Sequence, residues 1–380
     1  MFELITENTI AIQDIKKTVL EYLNSLVSKK KNYPEAIRLA LPVESIDLLA
    51  WLKSQSFDKK IYWNDKKANL EVAGIGAADL ISGTDLSDYS SVIQRILKYS
   101  SDKCSKCRYY GGFSFYKEEA GKDEWESFGA YNFVLPRFEM IRDAEGELFV
   151  CNLIHPDENS IIQLARDLEK ISSKEADLIA DLPGIADVTY WPGHDKWRDI
   201  INSALQDINE REFDKIVLAR KIEIDLLSRA DAFSILAVLR GSNHQTVSFC
   251  FQPGPEATFI GATPELLYRR DGRQIKSEAL AGTRPRGNNP DEDERLAKDL
   301  ITDEKELREH FFVTRSLERN LGRLCPQLES NGRVSVLKLA QIQHLYVPFK
   351  GTLNPDVTDG DILESIHPTP AVGGYPDKSV

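Results

Sequence analysis

Three charged side chains could carry chemistry, two as acid–base groups and one as a metal ligand. Lys215 lies in FDKIVLAR, Glu265 in GATPELL and Glu309 in EKELREH. A strand lysine usually reaches the rim of its sheet with its charge in water, whereas a buried lysine would have a lowered pKa and could act as a general base. Glu265 follows a proline and could be a simple turn residue or a positioned acid. Pattern alone favours the rim for Lys215 and the turn for Glu265.

Glu309 precedes a histidine and an aromatic pair on a predicted helix. It could be a solvated carboxylate or one ligand of a hard cation such as Mg2+, whose other ligands would come from elsewhere. In SEALAGTRPRG, the amides of Gly282 and Thr283 with the threonine hydroxyl could bind an anion, although a Gly-Thr pair is a weak motif. His344 and His367 are more often structural residues than catalysts when read in isolation.

The elements that must position these residues are mixed helices and strands. IKKTVLEYLNSL has apolar residues at helical spacing, which predicts a helix from Asp14 to about Lys30. Short apolar or alternating runs such as KKIYW and YYGGFSFY, bounded by Gly, Pro and Asp, predict strands. The run DKIVLARKIEIDLL is predicted to be a strand that contains Lys215.

The most strongly marked helix is predicted from about Asp303 to Leu321, with Thr302 as a possible cap. Its apolar stripe has Glu309 and His310 away from the centre. Composition also changes near residue 190, which predicts an N-terminal α/β region over 1–190 and a catalytic region over 191–380.

Bulk composition indicates a globular protein that does not bind nucleic acid. The chain has 380 residues, 42% of them hydrophobic, and a net charge of −12 that repels nucleic acid and anionic membranes. The sequence has no apolar run of membrane-spanning length and no signal-peptide pattern at its start, so we expect a cytoplasmic monomer. The CxxC formed by Cys104 and Cys107 is predicted to be two ordinary reduced thiols.

Taken in order, the runs FDKIVLAR, GATPELL, SEALAGTRPRG, EKELREH, QIQHL and HPTPAVGG closely resemble the motifs of the chorismate-utilising enzymes, and among these the isochorismate synthase branch. Ammonia-using relatives usually have glutamine where this chain has Lys215, and a PxGTxxGAPK-like stretch where it has HPTPAVGG. Weaker N-terminal matches extend the resemblance over nearly the whole chain from about residue 60. It implies an α+β fold like that of anthranilate synthase component I, with large antiparallel sheets packed face to face and flanking helices.

The resemblance also implies a mechanism and a cofactor. Lys215 would be the general base that activates water for addition at C2 of chorismate, and Glu265 the general acid that protonates the departing C4 hydroxyl. Mg2+, with Glu309 as one ligand, would hold the ring carboxylate of this dianionic substrate. Further residues would line the substrate site: Gly282, Thr283, His344, Ala371 and Val372.

Relatives of the family continue past HPTPAVGG with strands that carry a substrate-binding arginine and a second Mg2+-binding glutamate, so we expect the fold to be incomplete at its C-terminal end. Arg284 and Arg286 match a different motif and are not expected to replace that arginine. Three functions remain open: an isochorismate synthase, for which N-terminal motifs favour menaquinone biosynthesis; a salicylate synthase; and a non-catalytic remnant of the family.

Overall fold

The computed structural model describes residues 2–5, 9–28, 33–67, 69–100, 107–116, 123–179, 182–242, 245–330 and 332–376. In chain order the strands are β1 (Phe2–Ile5), β2 (Ala36–Pro42), β3 (Lys60–Asn64), β4 (Glu71–Ile75), β5 (Asp79–Gly83), β6 (Tyr110–Phe113), β7 (Tyr131–Leu135), β8 (Phe138–Asp143), β9 (Gly146–Ile154), β10 (Ile185–Trp191), β11 (Lys221–Leu226), β12 (Val247–Gln252), β13 (Phe259–Thr263), β14 (Arg269–Asp271), β15 (Gln274–Pro285), β16 (Gln327–Ser330), β17 (Ser335–Lys338) and β18 (Ile342–Thr352).

Nine α-helices are interspersed among these strands in the described part of the chain. They are α1 (Ile15–Ser28), α2 (Leu48–Ser54), α3 (Tyr89–Ser100), α4 (Glu158–Glu169), α5 (His194–Glu210), α6 (Ala232–Ser242), α7 (Pro290–Thr302), α8 (Glu304–Leu324) and α9 (Asp359–Ile366), with short 3-10 helices at Ile12–Asp14 and Asp123–Trp125. The helix predicted from Asp14 to about Lys30 is confirmed as α1. No helix in the described ranges is long and apolar enough to cross a membrane.

By compactness the chain divides into two units: Met1–Asp181 with Asp231–Thr263, and Leu182–Ala230 with Pro264–Val380. This division differs from the predicted cut near residue 190, because β12 pairs with β3 and thereby joins Asp231–Thr263 to the first unit. The predicted functional regions, 1–190 and 191–380, stay a prediction.

The first unit is organised around a sheet in the order β1-β2-β9-β8-β4-β3-β12-β13, which is antiparallel except for the parallel pair β1 and β2. Its core is apolar and closely packed, with Trp51 of α2 and Phe138 and Phe149 of the central strands almost fully buried. A smaller antiparallel sheet has the order β5-β7-β6. The described cysteines, Cys107 among them, are free thiols, whereas Cys104 lies outside the described residues.

The second unit contains the antiparallel sheet β14-β15-β18-β16, to which β17 adds by pairing with β18. Alternate residues of β15 and β18, such as Ile275, Ala279, Val347 and Phe349, form a buried cluster with the apolar residues of α8 and α9. This alternation is what a sheet covered on one face by helices requires. The pairing of β15 with β18 runs almost the full length of both strands and forms the base on which α8 lies.

A separate antiparallel ribbon, β10 with β11, has one apolar and one polar face. Pairing places Val188 opposite Ile224 and Tyr190 opposite Ile222, while Glu223 lies opposite Thr189 on the other face. We call this apolar face the ribbon face. It consists of five side chains that are each 37–52% exposed: Val188, Tyr190, Ile222, Ile224 and Leu226. Among the described residues neither ribbon strand has a further strand partner.

Candidate active site

A bulge in β15 places two of the predicted substrate-binding residues. The register between β15 and β18 shifts between Ala281 and Thr283, and Gly282 between them has φ +79°, a conformation that favours glycine. The shift leaves Thr283 opposite His344, with 3.0 Å between the threonine Oγ1 and the histidine Nδ1. The structure therefore brings Gly282, Thr283 and His344 together.

His344 is a neutral side chain with one unused nitrogen. Burial lowers the pKa of its imidazole, and the main chain of Gly282 opposes that shift only in part. Its Nδ1 lies against Thr283, whereas its Nε2 is buried without a hydrogen-bond partner among the described residues. A buried nitrogen of this kind is costly unless a ligand or water satisfies it.

Helix α8 carries Glu309 and confirms the helix predicted from about Asp303 to Leu321. Its cap is Asp303, whose carboxylate accepts the amide N–H of Glu306 at 3.0 Å. Thr302, proposed as the cap, instead ends α7 and donates its hydroxyl to the carbonyl of Lys298. Thr302 and Asp303 are both residue types that cap helices. Thr302 is still part of α7, so Asp303 is the residue that caps α8.

The buried stripe of α8 also differs from the prediction. His310, placed away from the centre of the stripe, is 1% exposed, whereas Phe311 is 58% exposed. Burial lowers the pKa of His310 to about 4, so its imidazole is neutral and packs like an apolar side chain. With His310 turned to the sheet, Glu309 lies half-exposed at the edge of that stripe, 3.6 Å from the ammonium of Lys305.

Lys215 is buried rather than at a rim, with 7% of its surface exposed. The strand predicted over DKIVLARKIEIDLL begins only at Lys221, as β11, so Lys215 lies before it. Lys215 instead forms an isolated bridge with Tyr375. Its Nζ donates a hydrogen bond to the carbonyl oxygen of Pro370. Burial lowers the pKa of this lysine, while the carboxylates of Glu309 and Glu265 act in the opposite direction.

The same charges link Lys215, the predicted base, to Glu265, the predicted acid, and to Glu309, the predicted metal ligand. Glu265 lies half-buried in the loop between β13 and β14, and its charge, like that of Glu309, acts on Lys215. Burial and these two charges act on the Lys215 pKa in opposite directions, and burial is the larger effect. Because a lowered pKa favours the neutral amine, the arrangement can support proton transfer to Lys215.

The segment after α9 forms a turn beside Lys215. Val372 and Gly373 donate their amides to the carbonyl of Thr369 at 3.2 and 3.0 Å. Ala371 is half-buried against the cluster under the sheet, and Val372 is 46% exposed. Pro370, whose carbonyl holds the Lys215 amine, directly precedes these two residues.

The two arginines of SEALAGTRPRG are engaged in ion pairs. Arg284 donates to Asp303 at 2.8 Å and to Glu306 at 2.9 Å. Arg286 donates to both oxygens of Asp293, at 2.6 and 2.9 Å. Both guanidinium groups therefore have carboxylate partners within the protein, and the expectation that neither replaces a substrate-binding arginine stays a prediction.

Several residues around the site were not found from the sequence. Glu306 lies beneath the bulge, because a Cβ added to Gly282 would be 3.0 Å from its Oε2. The three-residue spacing of Glu306 and Glu309 was the available signal, since it puts both on neighbouring positions of one helix. The main-chain contacts of Pro370 and Tyr375 to Lys215 have no sequence signature.

A magnesium ion would have to share its coordination with a ligand. The described ranges contain no group of three or more His, Cys, Asp or Glu side chains arranged to hold a metal. Mg2+, however, usually keeps several waters and is bound through one or two carboxylates plus oxygens of the substrate. The half-exposed carboxylate of Glu309 fits that smaller requirement.

Comparison with known proteins places this arrangement in a family. Two relatives are isochorismate synthases: the chloroplastic enzyme of Catharanthus roseus, 31% identical over 82% of this chain, and MenF of Bacillus subtilis, 27% identical over 97% of it. The chain spans 56% of the length of the first and 82% of the second.

Solved structures agree. MenF, the menaquinone-specific isochorismate synthase of Escherichia coli, matches with a TM-score of 0.80 and 25% identity over 95% of this chain and 82% of its own. Anthranilate synthase component I of Streptococcus pneumoniae matches with a TM-score of 0.63 at 19% identity, over 82% of this chain and 75% of its own, which shows a shared fold. The predicted α+β class with the anthranilate synthase component I type of fold is confirmed.

A model of the family described as chorismate binding enzymes matches residues 19–380. Because that match covers almost the whole chain, including the bulge, α8 and the turn after α9, this protein belongs to the chorismate binding enzymes.

Proposed function

We propose that this chain is an isochorismate synthase that converts chorismate to isochorismate. The observation that carries the proposal is the position of Lys215, buried, hydrogen-bonded to the carbonyl of Pro370 and influenced by Glu309 and Glu265. The names of the relatives give the reaction, and these residues give a way to perform it.

The reaction exchanges a hydroxyl between two ring carbons. Neutral Lys215 accepts a proton from water as the oxygen of that water bonds to C2 of chorismate. The ring double bond shifts, the bond between C4 and its hydroxyl breaks, and Glu265 supplies the proton that lets this oxygen leave as water. The partial dehydration of Lys215 favours its neutral form, which is the form a base needs.

The remaining site residues are assigned to ligand binding. The unused Nε2 of His344 and the amides at Gly282 and Thr283 supply polar contacts for substrate oxygens. Ala371 and Val372 supply an apolar wall for the ring. These roles follow from the chemistry of the groups and from their order in the family motifs.

Mg2+ is the proposed cofactor, with the carboxylate of Glu309 as its protein ligand. When bound, the ion would neutralise part of the negative charge of a dicarboxylate substrate. That contribution matters in a protein with a net charge of −12, whose overall field opposes anion binding.

We assign the product to menaquinone biosynthesis, as the N-terminal motifs also indicated. The assignment is supported by similarity to MenF of B. subtilis and to the menaquinone-specific MenF of E. coli. Growth of a menaquinone-requiring strain that carries this gene in place of its own isochorismate synthase is the corresponding test. Rescue only of siderophore or salicylate production would contradict the assignment.

The decisive experiment supplies the 380-residue chain with chorismate, Mg2+ and an isochorismatase as coupling enzyme. Turnover is expected, and Lys215→Ala should reduce it by about 10²–10⁴-fold, the usual contribution of a general base. Lys221→Ala is the matched control, because Lys221 is an exposed lysine a short distance along the chain and should leave the rate unchanged.

Two outcomes would replace the proposal. Accumulation of salicylate and pyruvate from chorismate would identify a salicylate synthase instead. Absence of turnover in a folded chain that still binds chorismate would identify a non-catalytic member of the family.

A further inference from the structure

Lys215 is held by main-chain groups from a single turn. Its amide donates to the carbonyl of Tyr375 at 3.2 Å, and the Tyr375 amide donates to the carbonyl of Lys215 at 2.8 Å. The amide of Asp214 also donates to the Tyr375 carbonyl, at 2.9 Å. The Pro370 carbonyl then accepts the Lys215 Nζ, so Pro370 and Tyr375 together fix both the backbone and the amine of the lysine.

This turn has little regular structure of its own. Residues 367–376 form turns and the isolated bridge to Lys215, outside any helix or sheet. Internal hydrogen bonds from Val372 and Gly373 to Thr369 shape the turn but do not attach it to the rest of the unit. The turn is attached by the bonds that Tyr375 and Pro370 make to the Asp214–Lys215 segment and by the packing of its side chains.

An aromatic pair attaches the turn to α8. The rings of Phe312 and Tyr375 stack with centroids 5.1 Å apart and planes at 28°. Phe312 follows Glu309 by three residues on the same helix, so the helix that carries the proposed metal ligand also carries the ring that supports the turn. Its neighbour Phe311 is 58% exposed and packs edge-on against Phe312, with ring centroids 5.9 Å apart.

We propose that Phe312 is a positioning residue for Lys215, which acts by stacking on Tyr375 and thereby holding the 369–376 turn whose carbonyl groups orient the lysine amine. The effect of Phe312 on catalysis rests on the proposed function. Its effect on structure does not: because the turn covers Lys215, the aromatic stack keeps water away from the lysine amine.

The first test measures how accessible the Lys215 amine is. The folded protein is treated with an amine-acetylating reagent, and the labelling rate of each lysine is followed by peptide mass spectrometry. Phe312→Ala should raise the rate at Lys215 by roughly three- to tenfold, the change that loss of one aromatic pair makes in the population of an open turn. Phe312→Tyr, which keeps a stacking ring, should label as the unmodified protein does.

The second test separates positioning from general packing. Phe312→Ala should lower kcat by a similar factor with KM nearly unchanged, and Phe312→Tyr should restore it. In a Lys215→Ala background, Phe312→Ala should cause no further loss, because its effect passes through the lysine.

The outcomes are distinguishable. An unchanged labelling rate at Lys215 in folded Phe312→Ala, or an equal rise at all lysines, would overturn the inference. If the unmodified chain lacks turnover, the proposed function fails while the labelling result still decides the role of Phe312. Should Phe312→Ala not fold, Phe312→Leu keeps most of the buried volume without the stacked ring and is measured in its place.

Discussion

Replacing Gly282 by alanine tests the bulge that brings Thr283 to His344. Gly282 has φ +79°, and a Cβ there would be 3.0 Å from Oε2 of Glu306 and 3.2 Å from Cδ1 of Leu345. Leu345 is fully buried and cannot easily move. Glu306 can move only by disturbing its 2.9 Å hydrogen bond with Arg284.

The expected cost has a backbone part and a packing part. An L-residue in the left-handed region costs about 1–2 kcal/mol, which the lower entropy of the unfolded alanine chain offsets by roughly 0.4–1 kcal/mol. Overpacking against Leu345 adds about 1–3 kcal/mol, and a weakened, partly exposed ion pair at Glu306 adds up to about 1 kcal/mol. Gly282→Ala should therefore lower the free energy of unfolding by about 1–6 kcal/mol, centred near 3 kcal/mol.

Gly272→Ala is the matched control. Gly272 has φ +55°, but a Cβ there would meet no atom within 4 Å, so it carries only the backbone part of the cost. Its loss of unfolding free energy should be about 1.6 kcal/mol or less. The free energies come from urea unfolding followed by circular dichroism, with kcat/KM measured in parallel. Equal losses for the two variants would refute the packing account, and full activity in Gly282→Ala would refute a role for the bulge in substrate binding.

Three further predictions concern single side chains. Glu265→Gln, which keeps the size of the side chain but cannot donate the same proton, should lower kcat by about 10²–10⁴-fold in the coupled assay, and a normal kcat would exclude the proposed acid. Glu309→Gln should raise the Mg2+ concentration for half-maximal activity on the order of tenfold or more, and an unchanged Mg2+ titration would exclude it as a ligand. Arg286 and then Lys338 lower the pKa of Asp293, so this carboxylate stabilises the fold above about pH 4 and loses that effect as the pH falls further. Arg286→Gln should therefore lower the urea midpoint at pH 7 and make its decline below about pH 4 shallower; a parallel decline would contradict this.

The sequence predicted those features that are repeated over many residues. Strand alternation and helical spacing gave the α+β class and the positions of α1 and α8, because burying one face imposes a period on the chain. The order of the motifs gave the family. The periodicity of each element and the residues within each motif are patterns of side chains that are close together in the sequence.

Features that depend on distant partners were not predictable in the same way. Lys215 looked like a rim residue because its neighbours suggested a strand, whereas its burial comes from Pro370 and Tyr375, far along the chain and acting through main-chain atoms. His310 looked peripheral because a histidine is scored as polar, but as a neutral imidazole it can lie in an apolar core. The choice of Asp303 over Thr302 as cap depended on where α7 ends.

The exposed ribbon face of β10 and β11 has a practical consequence for handling the protein. Its five apolar side chains form an exposed surface that promotes self-association, and it lies beside strand edges that have no partner among the described residues. Concentrated samples should therefore associate through this face, and the dye ANS should bind to it. The double substitution Ile222→Thr and Ile224→Thr keeps the preference for a strand while making this face less apolar, which makes the variant a suitable form for crystallisation.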